Sequence, residues 1–229
     1  MATLLLRLAG PLQAWGAESK FEIRRTLGFP TKSGVIGMLA AAQGMSRDDP
    51  PDPLNELKFG VRIDREGAYL RDYHTAHGKK EKDAYITQRY YLEDAVFLVG
   101  LESEDTALLG KLQEALCHPV FPLFLGRRSC PPTMPLQLGI RDADLLTALR
   151  EEPWLLAEWR QKNANDSERK LRILTDADHA EEGAPLRDLA VSFRNAHRIH
   201  TWRAVKDHGY VSVNGAEQES EHDAFSELG

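Results

Sequence analysis

The sequence predicts an α+β fold in which two helices cover one face of an antiparallel, ferredoxin-like sheet. The chain has 229 residues, 42% hydrophobic and 28% charged, which is typical of a globular chain with a substantial core. Over residues 3–125 the apolar pattern gives strand, helix, two strands, helix, strand, the order of that fold. A smaller, irregular, β-rich part is expected after it.

The first helix and its neighbours are predicted from local signals. Residues 3–9 form an apolar run that ends at Gly-Pro, which indicates a buried strand. A helix is expected from an N-cap at Ser33 to a stop at Gly44. Two glycines in its first turns imply that a neighbour or a ligand approaches the backbone closely. Residues 46–58 are acidic and proline-rich, which predicts a loop.

The middle of the chain is predicted to form a hairpin, an excursion and a second helix. Apolar residues alternate with polar ones over 59–64, and residues 69–75 are expected to complete the hairpin. Residues 77–88 lack an apolar period and should project as a long excursion. A strand is expected at 89–101. A second helix should follow an Asp105 cap and lead to a last strand at 119–125, which leaves one sheet face open.

The C-terminal half gives weaker signals. A helix is expected at 142–159, a polar linker at 162–170, and short strands follow at 171–175, 189–193 and 199–213. We therefore predict a domain over residues 1–140, a smaller subdomain over 141–216 and an acidic, disordered tail over 217–229.

Charge is distributed unevenly along the chain. The formal net charge is −6, but the last thirteen residues contain five acidic and no basic residues. Three segments, 1–45, 120–141 and 187–211, are each basic by three charges. Because a ligand responds to local potential, these segments could converge on one polyanion-binding face despite the acidic total.

Several classes of protein and site are not expected from this sequence. No apolar run approaches the ~20 residues of a membrane span and no secretory pattern is present, which predicts a cytoplasmic chain that does not contact a membrane. The two cysteines, Cys117 and Cys130, are predicted to be free thiols. His197 and His200 form an HxxH pair within a predicted strand, so we expect no metal site and no cofactor.

The strongest candidate for anion binding is Gly126-Arg127-Arg128-Ser129, directly after a predicted strand. A glycine turn followed by two guanidinium groups and a hydroxyl can bind phosphate oxygens, although a solvated turn has the same composition. Gln13 and Trp15 could read and stack a base, or Trp15 could belong to the core.

Two further groups complete the candidate set. Lys32, Ser33 and Gly34 lie at a predicted helix N-terminus, where unpaired N–H groups favour phosphate. Basic and aromatic residues alternate around the excursion, which is typical of single-stranded nucleic-acid binding, of a metal-free ribonuclease site or of an exposed charged loop. The candidates for RNA contact there and in the first basic segment are Arg24, Arg71, Tyr73, His74 and Arg89.

Four motifs in this order and spacing resemble the Cas-five family of RAMP-type CRISPR proteins, in the form that occurs in type I-E Cascade complexes. They are LRLAGPLQAWG (6–16), FPTKSGVIGMLAAAQG (29–44), LRDYHT (70–75) and PLFLGRRSCPP (122–132). The resemblance is close over about residues 3–140 and looser beyond them, and the acidic tail has no counterpart.

The resemblance implies an RRM-like domain that caps one end of the complex by gripping the 5′ handle of the CRISPR RNA. The excursion at about 77–88 would be a projecting thumb that packs on the adjacent backbone subunit. The resemblance also implies contacts with the Cascade backbone subunit and with the large PAM-recognising subunit, and with target DNA in the assembled complex. The expected role is non-catalytic. In a sister subtype the Cas-five protein is a metal-independent endoribonuclease that processes precursor RNA, and Tyr73, His74 and Lys79 offer the same residue types here, which keeps an enzyme as the alternative.

Overall fold

The computed structural model describes residues 1–16, 22–77, 84–164, 170–194 and 197–212. Part of the predicted excursion and the whole acidic tail lie outside these ranges. The strands are β1 Ala2–Ala9, β2 Leu12–Gln13, β3 Ile23–Arg24, β4 Lys58–Arg65, β5 Ala68–His77, β6 Ala84–Glu93, β7 Val96–Ser103, β8 Gln137–Arg141, β9 Lys170–Asp176, β10 Ala184–Ser192 and β11 Ile199–Ser212. The helices are α1 Lys32–Ala42, α2 Asp52–Asn55, α3 Thr106–Cys117, α4 Leu145–Glu151 and α5 Glu158–Asn163.

Seven strands form one antiparallel sheet in the order β10-β11-β9-β4-β7-β1-β8. The main core lies between this sheet and helices α1 and α3, and it contains side chains such as Leu6, Phe97, Leu39 and Leu112. The fold is therefore a mixed α+β fold with a mostly antiparallel sheet and few helices. Strand β9 pairs with β4, so the C-terminal strands continue the sheet of the first half.

The second sheet is small and was not predicted as a unit. Strand β6 pairs with β5 along its length and with the short strands β2 and β3. The prediction that 59–64 and 69–75 form one hairpin is therefore wrong. The first segment lies inside the large sheet between β7 and β9, while β5 pairs with β6. The predicted strand 89–101 is two strands, separated at Asp94, whose φ is 56°.

The sheet face opposite α1 and α3 is not open, contrary to the prediction. Helix α4 covers it and packs Leu145 and Leu149 against Leu5, Leu98 and Ile173. The alternation over 59–64 predicted a half-buried strand, but both faces of β4 are buried. Its polar residues tolerate burial because Arg62 and Asp64 pair with each other.

The prediction of a strand at 119–125 is wrong as well. This segment is irregular, and Val120 and Phe121 donate backbone hydrogen bonds to the carbonyls of Ala42 and Ala41 after α1. Prolines at 119 and 122 lack the N–H groups that a sheet ladder needs. Strand β8, at 137–141, takes the edge position beside β1 instead.

Helix boundaries follow capping chemistry. The N-cap of α1 is Thr31 rather than Ser33, because the Thr31 side chain accepts from the Gly34 N–H; Gly44, at a φ of 75°, follows its end. Asp105 caps α3 as predicted. The helix predicted at 142–159 is split into α4 and α5 because Pro153 disfavours helical geometry in the residue before it. Among the described residues, none of the helices is both long and apolar enough to span a membrane.

Candidate nucleic-acid interface

A groove lies between α1, the loop after it, the segment around residues 121–131 and the C-terminal strands. Its volume is about 1740 Å³. Seven arginines and one histidine line it: Arg24, Arg25, Arg47, Arg127, Arg128, Arg187, Arg198 and His200. No Asp or Glu among the described residues lines it. A concave surface with one sign of charge concentrates oppositely charged ligands, so the groove is suited to a polyanion.

The three basic segments of the sequence converge here, which confirms that part of the charge prediction. Arg24 comes from the first segment, Arg127 from the second and Arg198 from the third. They reach one groove because the segment before residue 131 packs across the end of α1 while β10 packs beside that helix.

Apolar and aromatic side chains form the rest of the lining. Phe121 lies at the groove with its side chain 49% exposed, and Phe124, Phe193, Met38 and Met45 also line it. Rings in a basic groove offer stacking surfaces for unpaired bases. The lining therefore matches single-stranded nucleic acid, in which bases and backbone are both accessible.

The loop 126–129 contributes two of the arginines. Gly126 has a φ of 84°, and a Cβ on it would lie 1.8 Å from the carbonyl oxygen of Ala14, so this position requires glycine. The Arg127 guanidinium lies 4.6 Å from the ring centroid of Tyr91 and donates to the backbone oxygen of Arg24 at 3.0 Å. Arg128 is exposed and lines the groove, whereas Ser129 is exposed outside its lining.

Gln13 and Trp15 are core residues, which corrects their assignment as side chains that read and stack a base. The Gln13 amide is fully buried and donates to the carbonyls of Leu8 and Ala95. The indole N–H of Trp15 donates to Gln13 at 3.1 Å, and only 1% of Trp15 is exposed. Its edge contributes to the groove wall, but no open ring face remains.

The N-terminus of α1 is already neutralised within the chain. Lys32 is buried, and its Nζ donates to Asp176 and to the Leu57 carbonyl, so it is not available to an external phosphate. Its backbone N–H donates to the carboxylate of Asp188. Ser33 and Gly34 line the groove. A Cβ on Gly34 would lie 2.9 Å from the Thr31 hydroxyl and 3.0 Å from the Trp15 ring, so a side chain there would have to displace the N-cap or the ring.

Arg71, Tyr73 and His74 lie on strand β5 outside the groove lining. Tyr73 is 61% exposed. Because successive strand residues point to opposite faces, Tyr73 and His74 are not on one side of the hairpin. Lys79 lies outside the described residues. Arg89 is on β6, directly opposite Arg24 on β3.

Comparison with known proteins identifies the family. Residues 3–213 match the family described as "CRISPR-associated protein (Cas_Cas5)". The chain belongs to this family.

Relatives of known description agree with the family assignment. The chain is 41% identical over 156 residues to the "CRISPR system Cascade subunit CasD" of Escherichia coli (strain K12), a match that covers 59% of this chain and 70% of that protein. A chain of a structure described as "CRISPR RNA-guided surveillance complex" aligns with a TM-score of 0.77 and 34% identity, covering 92% of this chain and 90% of that one. A structure described as "Crystal structure of Cas protein" aligns with a TM-score of 0.69 and 38% identity, covering 90% and 94%.

Sequence reasoning missed several groove residues of this Cas5 chain. Arg25, Arg47, Arg187, Arg198, His200 and Phe121 line the groove but are not among the RNA-binding residues that the sequence predicts. The signal available for most of them is the positive charge of their segments, which does not say which side chains share a surface.

The positive charge of the groove affects the pKa of His200. Burial, then the neighbouring Arg198 and Arg187, lower the pKa of its imidazole, and Asp188 opposes them. His200 is therefore neutral at pH 7 in the free chain. Among the described residues, no cluster of His, Cys, Asp and Glu has the arrangement of a metal site, and Cys117 and Cys130 are free thiols as predicted.

Proposed function

We propose that the chain is a non-catalytic, CRISPR RNA-binding subunit of a type I-E Cascade surveillance complex, and that the basic groove holds the 5′ handle of the RNA. The groove carries this proposal, since seven arginines line it and no acidic residue of the described ranges does. Phosphate contacts supply affinity, and the aromatic lining stacks unpaired bases.

The comparisons support this assignment through the descriptions of related proteins. One relative is described as a Cascade subunit and one aligned chain belongs to an RNA-guided surveillance complex. The order β8-β1-β7-β4, with α1 and α3 on one face, further supports the ferredoxin-like interpretation of the N-terminal part. Because α4 covers the other face, the RNA lies in the groove rather than across the open sheet of an RRM.

Contacts with the other subunits extend this proposal. The β5/β6 hairpin is the base of the thumb, and its exposed Tyr69, Tyr73 and Ile86 offer apolar surface to the backbone subunit. The large PAM-recognising subunit binds alongside, and target DNA meets the chain only in the assembled complex.

Replacing Arg127 and Arg128 together with alanine is expected to weaken binding of the handle RNA. For each phosphate that the variant no longer binds, the slope of log affinity against log salt should fall by about 0.7, the value for single strands. Binding titrations at several salt concentrations measure both effects. Lys111→Ala, an exposed change on α3 outside the groove, is the matched control. An unchanged slope in the double variant would remove this loop from the RNA site.

Binding is expected to strengthen as the pH falls below about 7. The pKa of His200 is lowered in the free chain, and a nearby phosphate favours the imidazolium form, so the complex takes up a proton. Between the two pKa values, affinity rises by at most about tenfold per pH unit. Titrations between pH 8 and pH 5.5 measure this. His200→Gln should remove the dependence while His118→Gln, at the end of α3, retains it; equal slopes in all three proteins would refute the coupling.

A further inference from the structure

Three arginines meet at the root of the β5/β6 hairpin. Arg24 on β3 pairs with Arg89 on β6, and paired strand residues place their side chains on the same face. Tyr91, two residues farther along β6, shares that face, and Arg127 lies over its ring. Arg24, Arg89 and Arg127 are called the arginine triad below.

Two nitrogen atoms of the triad are buried and lack acceptors. Arg89 Nε and Arg127 Nη1 have no hydrogen-bond partner among the described residues. Another nitrogen of Arg127, Nη2, donates to the backbone oxygen of Arg24. Buried donors normally have an acceptor, because water cannot compensate them. The two unpartnered nitrogens of the triad are therefore exceptions, which an acceptor supplied by a ligand would satisfy.

Among the described residues, no carboxylate forms an ion pair within 4.0 Å with an arginine of the triad. Asp72 on β5 is the cross-strand neighbour of Arg89, yet it is not among the ion pairs within 4.0 Å that the described residues form. Like charges that face each other across a sheet are destabilising. The triad therefore brings together three like-charged side chains with two unused donors, which an anionic ligand would stabilise.

We propose that the arginine triad binds one phosphate group of the RNA chain at the root of the hairpin. The inference rests on the proposed function and deepens it by adding a defined subsite. Arg24 and Arg127 line the groove and Arg89 does not, so the subsite extends the path of the RNA from the groove toward the hairpin. Guanidinium groups present paired N–H donors that match the oxygens of a phosphate.

A series of handle RNAs, each with one neutral methylphosphonate linkage, tests this subsite with the full-length chain. The wild-type chain should lose about tenfold in affinity when the linkage at the triad is neutral. Arg89→Gln should lose about tenfold with unmodified RNA, and the same linkage should then have no further effect. If the loss of affinity caused by Arg89→Gln and the loss caused by the neutral linkage add at every position of that linkage, the subsite is refuted.

Arg128→Gln is the matched control, because Arg128 lines the groove but is not in the triad. It should weaken binding and keep the full effect of the neutral linkage. Without RNA, the melting temperature of Arg89→Gln should equal or exceed that of the wild type, since a repulsive charge is removed; a clear decrease would make Arg89 structural and overturn the proposal. A wild-type chain that binds no RNA would refute the proposed function itself, whereas normal binding without coupling at Arg89 refutes only the subsite.

Discussion

Replacing Asp64 with alanine is expected to lower the free energy of unfolding by about 3–5 kcal/mol, because it leaves a buried guanidinium without its counter-charge. Arg62 is fully buried and pairs with Asp64 through two nitrogens at 2.7 and 2.8 Å. The same guanidinium donates to the carbonyls of Leu149, Glu152 and Pro153, so it fixes the chain after α4. The Asp64 carboxylate also accepts from the Leu155 N–H.

Denaturant unfolding measures this loss. Asp207→Ala is the matched control, since Asp207 pairs with Arg172 at the surface, where such pairs contribute about 0.2–1 kcal/mol. Asp64→Asn keeps the size of the side chain and should still lose most of the stability, because the charge is missing. If Asp64→Ala lowers the free energy of unfolding no more than Asp207→Ala does, the buried ion pair does not anchor the chain after α4 to the sheet.

Arg203→Ala is expected to cost about 3–5 kcal/mol and also to weaken RNA binding. The Arg203 guanidinium is bidentate on Asp188 and contacts Asp176, and its side chain is 8% exposed. Both carboxylates also bind Lys32, one at its Nζ and the other at its backbone N–H. This network fastens β9, β10 and β11 to the start of α1.

The effect on RNA follows from what these strands contribute to the groove. Arg187 is on β10, Arg198 directly precedes β11 and His200 is on β11. Loosening the network should therefore displace one wall of the groove and lower affinity at temperatures where the variant is still folded. Lys206 lies on β11, as Arg203 does, and forms an exposed ion pair with Glu182. Lys206→Ala is therefore the control for both measurements. Wild-type affinity in a destabilised Arg203→Ala would show that the wall is positioned independently of the network.

Local signals predict α1, α3 and the central strands well, and strand pairing far less well. The cap at Asp105 and the helix stop at Gly44 depend on residues that are neighbours in sequence, so the sequence predicts them. The partner of β5 depends on which strand is available in space, and no periodic pattern encodes that choice. The alternation over 59–64 predicts that Arg62 faces solvent. This prediction fails because the partners of the buried guanidinium lie up to 91 residues away in sequence, where no local pattern indicates them.

The candidate site divides in the same way. The basic charge of three segments can be counted from the sequence, and it predicts that they could form one polyanion-binding surface. The sequence does not predict which side chains reach that surface. Lys32 pairs with the carboxylate of Asp176, whereas Arg198 lines the groove. Gln13 and Trp15 stand in a motif that resembles the family, yet their contribution is to the core.

Photo-crosslinking within the assembled complex tests the central claim most directly. CRISPR RNA with 4-thiouridine at single positions of the 5′ handle is incorporated, irradiated and digested, and the attached peptides are identified by mass spectrometry. Crosslinks should form within residues 121–128 and to the peptide around His200, since both segments contribute to the groove lining. Handle nucleotides that crosslink to the α4 side of this chain, or only to other subunits, would contradict the groove as the RNA site.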